Sequence, residues 1–166
     1  MKKIISLLAV VGMFSFQSCT TSDPYVDNDT ISEVFELKAI NFAYTAADGY
    51  TIYQKFTPHI FASDVVLIYR LSGSIDSNTP LWQLIPRTLF LNQGELDYDF
   101  DFSKEDFTIY AGGNYDLSST PQYLNNQTFR IVIVPGSFAA SLNTSNYADV
   151  ISALNINENQ IQRINF

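Results

Sequence analysis

The sequence predicts a mainly β protein: a single antiparallel β-sandwich, of the immunoglobulin or jelly-roll kind, with one short C-terminal helix. Two observations carry this prediction. Residues Glu95–Phe102 alternate strictly between acidic and apolar side chains, which is the period of a strand with one wet face. Val65–Leu71 and Phe129–Val134 are almost continuously apolar, which is typical of strands buried on both faces.

The first part of the domain is expected to form a hairpin. Ile31–Phe42 has the mixed alternation of a long first strand. Asp48-Gly49 is a turn signal, and Tyr50–Phe56 is the returning strand. Thr57-Pro58-His59 ends it, because proline removes a backbone donor from the ladder.

The middle of the chain is expected to alternate between short strands and turns. Ser72–Pro80 is polar and is expected to be a loop, whereas Leu81–Ile85 and Arg87–Leu91 are short strands on either side of Pro86. Glu95–Phe102 is compatible with the edge of a sheet.

Phe107–Ala111 is expected to be a strand, and Gly112-Gly113-Asn114 a hairpin turn without the spacing of a nucleotide-binding loop.

Near the C-terminus the spacing of apolar residues changes from the period of a strand to that of a helix. Asn146 is a candidate cap for a helix expected to lie across a sheet edge or an open end. Gln160–Phe166 is expected to be a final strand. The helix shows one apolar face: Tyr147, Val150, Ile151 and Leu154.

Composition favours one folded domain and excludes several function classes. Hydrophobic residues make up 46% of the 166-residue chain and charged residues 16%, so disorder is not expected. The net charge of −8, with basic residues scattered singly, argues against binding nucleic acid or anionic lipid. Cys19 is the single cysteine and His59 the single histidine, which excludes an intrachain disulfide, a cysteine metal cluster and a multi-histidine zinc site.

The N-terminus predicts a lipoprotein signal peptide over residues 1–18. Two lysines precede the apolar run Ile4–Phe16, which is too short to span a bilayer comfortably. Small Ser18 stands directly before Cys19, and the segment resembles a lipobox, with Phe16 in place of the usual leucine. We therefore expect Cys19 to be lipidated, which would anchor the chain without a transmembrane helix.

A polar tether is expected between the lipid and the domain. Residues 19–30 are the lipidated cysteine and this tether, and 31–166 the folded domain. Thr20 follows the cysteine, and the resemblance to lipoproteins of diderm bacteria then implies export to the outer membrane. Asp29-Thr30-Ile31 resembles a short O-glycosylation sequon, so Thr30 is a candidate for modification; the alternative is a linker running into a strand.

The acidic strand is the main candidate for chemistry. Its carboxylates would need a facing loop, such as Asp76-Ser77-Asn78, to complete the oxygen shell of a Ca²⁺ ion. A hydrolytic pair at Asp97 and Asp99, with His59 as a base, would need a pocket that raises the pKa of one of the two carboxyl groups. The simpler interpretation is a solvated face that prevents aggregation. Four acids share the predicted face: Glu95, Asp97, Asp99 and Asp101.

Aromatic side chains are the candidates for a binding surface. A binding module predicts an exposed groove among them, whereas Trp82 is also well suited to a core. The candidates are Trp82, Tyr110, Tyr115 and Tyr123.

Six blocks taken in order carry a resemblance to a family: Ser32–Glu36, Ser63–Leu71, Trp82–Pro86, Tyr98–Phe102, Gly113–Leu117 and Phe129–Pro135. Together they resemble small lipoproteins of Flavobacteriia and related Bacteroidota, over most of the domain. Members often carry a collagen-like Gly-Pro tract after the lipidated cysteine. This chain has TTSDPYVDNDT there, so no triple-helical stalk is expected. The resemblance implies an envelope lipoprotein and brings no activity with it.

The sequence thus predicts an outer-membrane lipoprotein with a binding or structural role at the cell envelope. Its partner, protein or glycan, is left open. The alternative is a small carboxylate-dependent hydrolase acting on envelope or extracellular glycans. No catalytic motif supports an enzyme, and no cofactor other than Ca²⁺ is a candidate.

Overall fold

The computed structural model describes residues 32–165, which form two five-stranded sheets packed face to face. The mainly β fold class and its two-sheet, sandwich-like arrangement are therefore confirmed. The strands of this part of the chain are β1 (Glu33–Ile40), β2 (Ala43–Thr45), β3 (Gly49–Lys55), β4 (Val65–Asp76), β5 (Thr79–Ile85), β6 (Arg87–Leu91), β7 (Gly94–Phe102), β8 (Asp106–Gly113), β9 (Gln127–Val134) and β10 (Gln162–Asn165).

The first sheet has the order β10-β1-β9-β4-β5 and the second the order β2-β3-β8-β7-β6. Every pairing between described strands is antiparallel except one, since β10 runs parallel to β1 with Phe35 opposite Gln162. The expected final strand is present. It runs parallel to β1 because the segment between β9 and β10 carries the chain over the sheet before β10 begins.

Two α-helices of the described chain precede the last strand: α1 (Gly136–Ala139) and α2 (Tyr147–Ala153). The predicted cap is confirmed, because the side chain of Asn146 accepts a hydrogen bond of 3.0 Å from the backbone N of Ala148. The helix α2 was expected across a sheet edge or an open end, and the structure places it near the edge strand β5 but above the sheet. It lies over the outer face of the first sheet and buries Val150 and Ile151 against Val132.

The two apolar runs are central strands, as predicted, because both of their faces are covered. Alternate residues of β4 and β9, such as Ile68 and Ile131, enter the core between the sheets. The residues between them, such as Leu67 and Val132, enter a second, smaller core beneath α2. These side chains are almost completely buried, so both faces of this sheet contribute hydrophobic stabilisation.

The segment expected to be a loop, Ser72–Pro80, is instead a hairpin. β4 continues to Asp76 and β5 begins at Thr79. The Asp76 carboxylate closes the turn by accepting hydrogen bonds from the Asn78 backbone N (2.8 Å) and the Thr79 hydroxyl (3.0 Å). These bonds lower the pKa of Asp76. The residues are polar because the hairpin projects beyond the sandwich, with both faces exposed.

Two expectations around β7 are wrong. β7 is not an edge strand, since it pairs with both β6 and β8. Gly112-Gly113 forms the end of β8 rather than a turn, and a Cβ added at Gly113 would lie 2.5 Å from the Glu95 carbonyl oxygen. The glycine therefore permits the close approach of two strands.

Strands β5 and β6 are joined through Pro86 but belong to opposite sheets. Each is the last strand of its sheet, so the two edges face one another on the same side of the sandwich. The peptide bond between Ile85 and Pro86 is cis.

A buried arginine attaches the C-terminal segment to the first sheet. Arg130 of β9 donates to the carboxylates of Glu36 (3.1 Å) and Glu158 (2.6 Å) and to the Tyr147 hydroxyl. Its guanidinium carbon lies 4.3 Å from the centre of the Trp82 ring. Burial alone would lower the pKa of Arg130, but the bonds to these acidic partners raise it above its usual range.

Candidate binding face on the second sheet

The outer face of the second sheet carries tyrosines and carboxylates side by side. Cross-strand pairing sets Asp99 opposite Tyr110, and Asp101 opposite Thr108, which in turn is opposite Tyr53. We call this surface the Tyr–Asp face and define it by its outward-facing residues, which are exposed or half-buried: Thr51, Tyr53, Asp97, Asp99, Asp101, Asp106, Thr108 and Tyr110.

Strand alternation produces this face. Leu96 and Tyr98 of β7 point into the core and are 0% and 1% exposed. The intervening Asp97, Asp99 and Asp101 must then project outward. The prediction that the acids of this strand share one face is confirmed.

The tyrosine rings are held by carboxylates. The Tyr110 hydroxyl donates to Asp101 at 2.8 Å, and the Tyr53 hydroxyl donates to Asp106 at 3.0 Å. These hydrogen bonds raise the pKa of both phenols. Hydrogen bonds from Ser103 and Tyr53 lower the pKa of Asp106. The Tyr53 ring is exposed and the Tyr110 ring is half-buried, and both are fixed in orientation, as a preformed binding surface requires.

Asp97, Asp99 and Asp101, three of the acids considered for Ca²⁺, are each bonded to a different donor. The donors differ: Asp97 accepts from the Thr88 hydroxyl (2.5 Å), Asp99 from the Phe100 backbone N (2.8 Å) and Asp101 from the Tyr110 hydroxyl (2.8 Å). Across residues 32–165, no group of three or more His, Cys, Asp or Glu side chains is arranged to hold a metal ion. The calcium hypothesis gains no support from this geometry.

His59 does not join the candidate acids. It lies close enough to Asp106 to favour that carboxylate's charged form. Asp97 lies opposite Gly112 of β8, and Gly112 is six residues along that strand from Asp106. The two aspartates are therefore about 20 Å apart along the strand direction. The arrangement expected for a hydrolase, with a base beside the acid pair, is not what the structure places here.

The four aromatic candidates do not form one groove. Trp82 stacks against Arg130 on the outer face of the first sheet, and Tyr115 and Tyr123 pack against the main core. Only Tyr110 belongs to the Tyr–Asp face. Its companion Tyr53 was not among the candidates, although its alternation with buried Ile52 places it on the outer face.

Comparison of the chain with protein-family models, with curated proteins and with solved structures found no match. Within the part of the chain that the structure describes, no helix combines the length and apolar character needed to cross a membrane. The signal peptide at 1–18, the lipidation site Cys19 and the glycosylation candidate Thr30 lie outside the described residues and stay predictions.

Proposed function

We propose that this chain is an outer-membrane lipoprotein, related to the small lipoproteins of Flavobacteriia, whose β-sandwich binds a neutral glycan on the Tyr–Asp face. The observation that carries the glycan part is the pair of outward-facing tyrosines, exposed Tyr53 and half-buried Tyr110, whose hydroxyls are held by carboxylates. The lipid anchor rests on the signal peptide and on Cys19.

Tyrosine rings and carboxylates are complementary to a sugar. An aromatic ring offers apolar area at a low conformational entropy cost, and 54% of Tyr53 is exposed. The carboxylates of Asp99 and Asp101 accept hydrogen bonds from hydroxyl groups. Side chains on one face of a strand are about 6.8 Å apart along it, and neighbouring strands are about 4.8 Å apart, so the face presents these groups over an extended area suited to an oligosaccharide.

The charge of the face selects against acidic glycans. It carries four carboxylates, those of Asp97, Asp99, Asp101 and Asp106, and Lys55 is the cation paired across the strands with Asp106. A surface of one sign repels ligands of the same sign. A neutral, hydroxyl-rich glycan is therefore the ligand class that fits.

The glycan test compares tyrosine variants on and off the face. We expect the full-length protein, purified in detergent, to be retained in affinity electrophoresis by gels containing neutral polysaccharides. Tyr53→Ala and Tyr110→Ala remove the stacking surface and should abolish the retention. Tyr44→Ala is the matched control, because Tyr44 is 65% exposed but packs against Tyr50 away from the face. Equal retention of all three variants would contradict the proposal.

The anchor test is separate. Cys19→Ser removes the thiol that would carry the lipid, so palmitate labelling and membrane association should both be lost. Membrane retention of the variant at the wild-type level would contradict lipid anchoring. The hydrolase alternative is distinguished by the release of reducing ends from the same polysaccharides, which a purely binding protein does not produce.

A further inference from the structure

A second site lies where the two sheets end together, between the facing edge strands β5 and β6. The space has a volume of about 480 Å³, within the ~300–1,000 Å³ that small-molecule sites occupy. Two arginines, Arg70 and Arg87, line it, and none of the other described lining residues is charged. In an acidic protein this is a local concentration of positive charge. We call it the Arg70 cavity.

Arg70 is a buried cation without an acidic partner. It is only 8% exposed, yet no carboxylate oxygen among residues 32–165 lies within 4.0 Å of its guanidinium nitrogens. Its guanidinium carbon is 4.6 Å from the centre of the Tyr98 ring and 5.9 Å from that of Tyr123. Aromatic faces offset part of the desolvation of the charge but leave it formally uncompensated.

The guanidinium is held in position by a chain of hydrogen bonds. Its Nε donates to the Oε1 of Gln127 at 2.9 Å. The amide of Gln127 donates in turn to the carbonyls of Gln122 (2.8 Å) and Asn125 (2.7 Å), which fixes which side of the amide faces Arg70. The cation is therefore preorganised, and a ligand need not order it on binding.

We propose that the Arg70 cavity binds a carboxylate-bearing sugar of the uronic acid class. A guanidinium matches the planar fork of a carboxylate, and a buried one gains most from such a partner. Ser72 and Gln83 supply a hydroxyl and an amide for the sugar hydroxyls, and Tyr123 supplies an aromatic surface. The apolar Leu89 completes a lining suited to ring carbons.

The position of the cavity suits a ligand that arrives from outside. The first residue of β1, Glu33, lies opposite Ile133 of β9, and Ile133 lies opposite Val66 of β4. Arg70 pairs with Phe129, four residues further along β9, or about 13 Å away along the strand. The cavity therefore lies toward the end of the sheet away from the segment that leads to Cys19.

The test is calorimetric titration of the full-length protein in detergent with three probes: D-glucuronate, D-glucose and inorganic phosphate. We expect glucuronate to bind at least about tenfold more tightly than either control, since one charge-assisted hydrogen bond accounts for that ratio. Phosphate binding as tight as glucuronate, or no glucuronate binding, would overturn the assignment.

Variants locate the site. Arg70→Met keeps most of the side-chain volume and should weaken glucuronate binding at least about tenfold. Arg163→Met makes the same change at an arginine that is 63% exposed on β10, and should leave binding unchanged. Wild-type affinity in Arg70→Met would overturn the proposal. Should that variant fail to fold, Arg87→Met changes an exposed lining residue, and unaltered affinity there is equally decisive. The neutral-glycan retention through Tyr53 and Tyr110 is measured separately, so the two proposals can fail independently.

Discussion

Arg70 and Arg130 lie on adjacent strands of the same sheet and are almost equally buried, at 8% and 7% exposure, but they face opposite sides. Arg130 points under the C-terminal segment and is bonded to two glutamates. Arg70 points between the sheets and is bonded to an uncharged amide beside a cavity. Burial alone therefore does not reveal what a charged residue does. The partners that compensate the charge distinguish a structural arginine from one available to a ligand.

The first prediction tests whether Arg130 is the structural arginine of the two. Arg130→Leu leaves Glu36 buried at 5% exposure without its main partner, so we expect a loss of about 3–5 kcal/mol in unfolding free energy. Urea denaturation measures it. Glu36 then keeps only its 3.5 Å contact with the exposed Arg163, so adding Glu36→Leu removes a poorly compensated charge and should restore much of the loss. A single variant as stable as wild type would show that Arg130 does not hold the C-terminal segment.

The second prediction concerns Arg70. Arg70→Met deletes a cation that has no acidic partner and leaves the Gln127 Oε1 without its donor, which costs about 1–2 kcal/mol. The same urea titration measures it beside Arg130→Leu. A loss as large as that of Arg130→Leu would mean that Arg70 is as structural as its neighbour and would remove the basis of the comparison.

The contrast also shows what the sequence could predict. The runs Val65–Leu71 and Phe129–Val134 indicated central strands because burial on both faces leaves a local, readable pattern. The acids of β7 were placed on one face for the same reason. Each prediction depends only on neighbours along the chain, so it did not require knowledge of the tertiary partners.

The roles of the arginines depend on residues far away in sequence. Glu36 is 94 residues from Arg130, and Gln127 is 57 residues from Arg70. Within their strands, both arginines are single polar residues in apolar runs. The local sequence pattern is the same for both arginines, and their different roles follow from the partners that the fold brings to each one. The Ser72–Pro80 hairpin was missed for a related reason, since a strand exposed on both faces has the composition of a loop.

The third prediction tests the exposed half of the Arg130 cluster. Glu158 is 49% exposed where it contacts the guanidinium, whereas Glu36 is buried. Glu158→Gln should therefore lower the unfolding free energy by no more than about 1 kcal/mol, and added salt should reduce the difference. Urea denaturation at two salt concentrations measures this effect. A loss comparable to that of Arg130→Leu would place the stabilising contact at Glu158 rather than at Glu36.

The smallest expected effect is on the tyrosine that each arginine faces. Burial raises the pKa of Tyr98 and of Tyr147 to about 12, although Arg70 and Arg130, respectively, pull these values down. The unfolded chain ionises tyrosine near pH ~10, so the folded state holds these protons more tightly. Their contribution to stability is fully present below that pH and is lost as pH rises through about 12. Tyrosinate absorbance during an alkaline titration measures this. Arg70→Met should delay the Tyr98 transition and leave the Tyr147 transition unchanged, because the arginine over the Tyr147 ring is Arg130. A shift of both transitions together would mean that the two arginines are electrostatically coupled through the sheet, and the two sides of β4 and β9 would then have to be treated as one site.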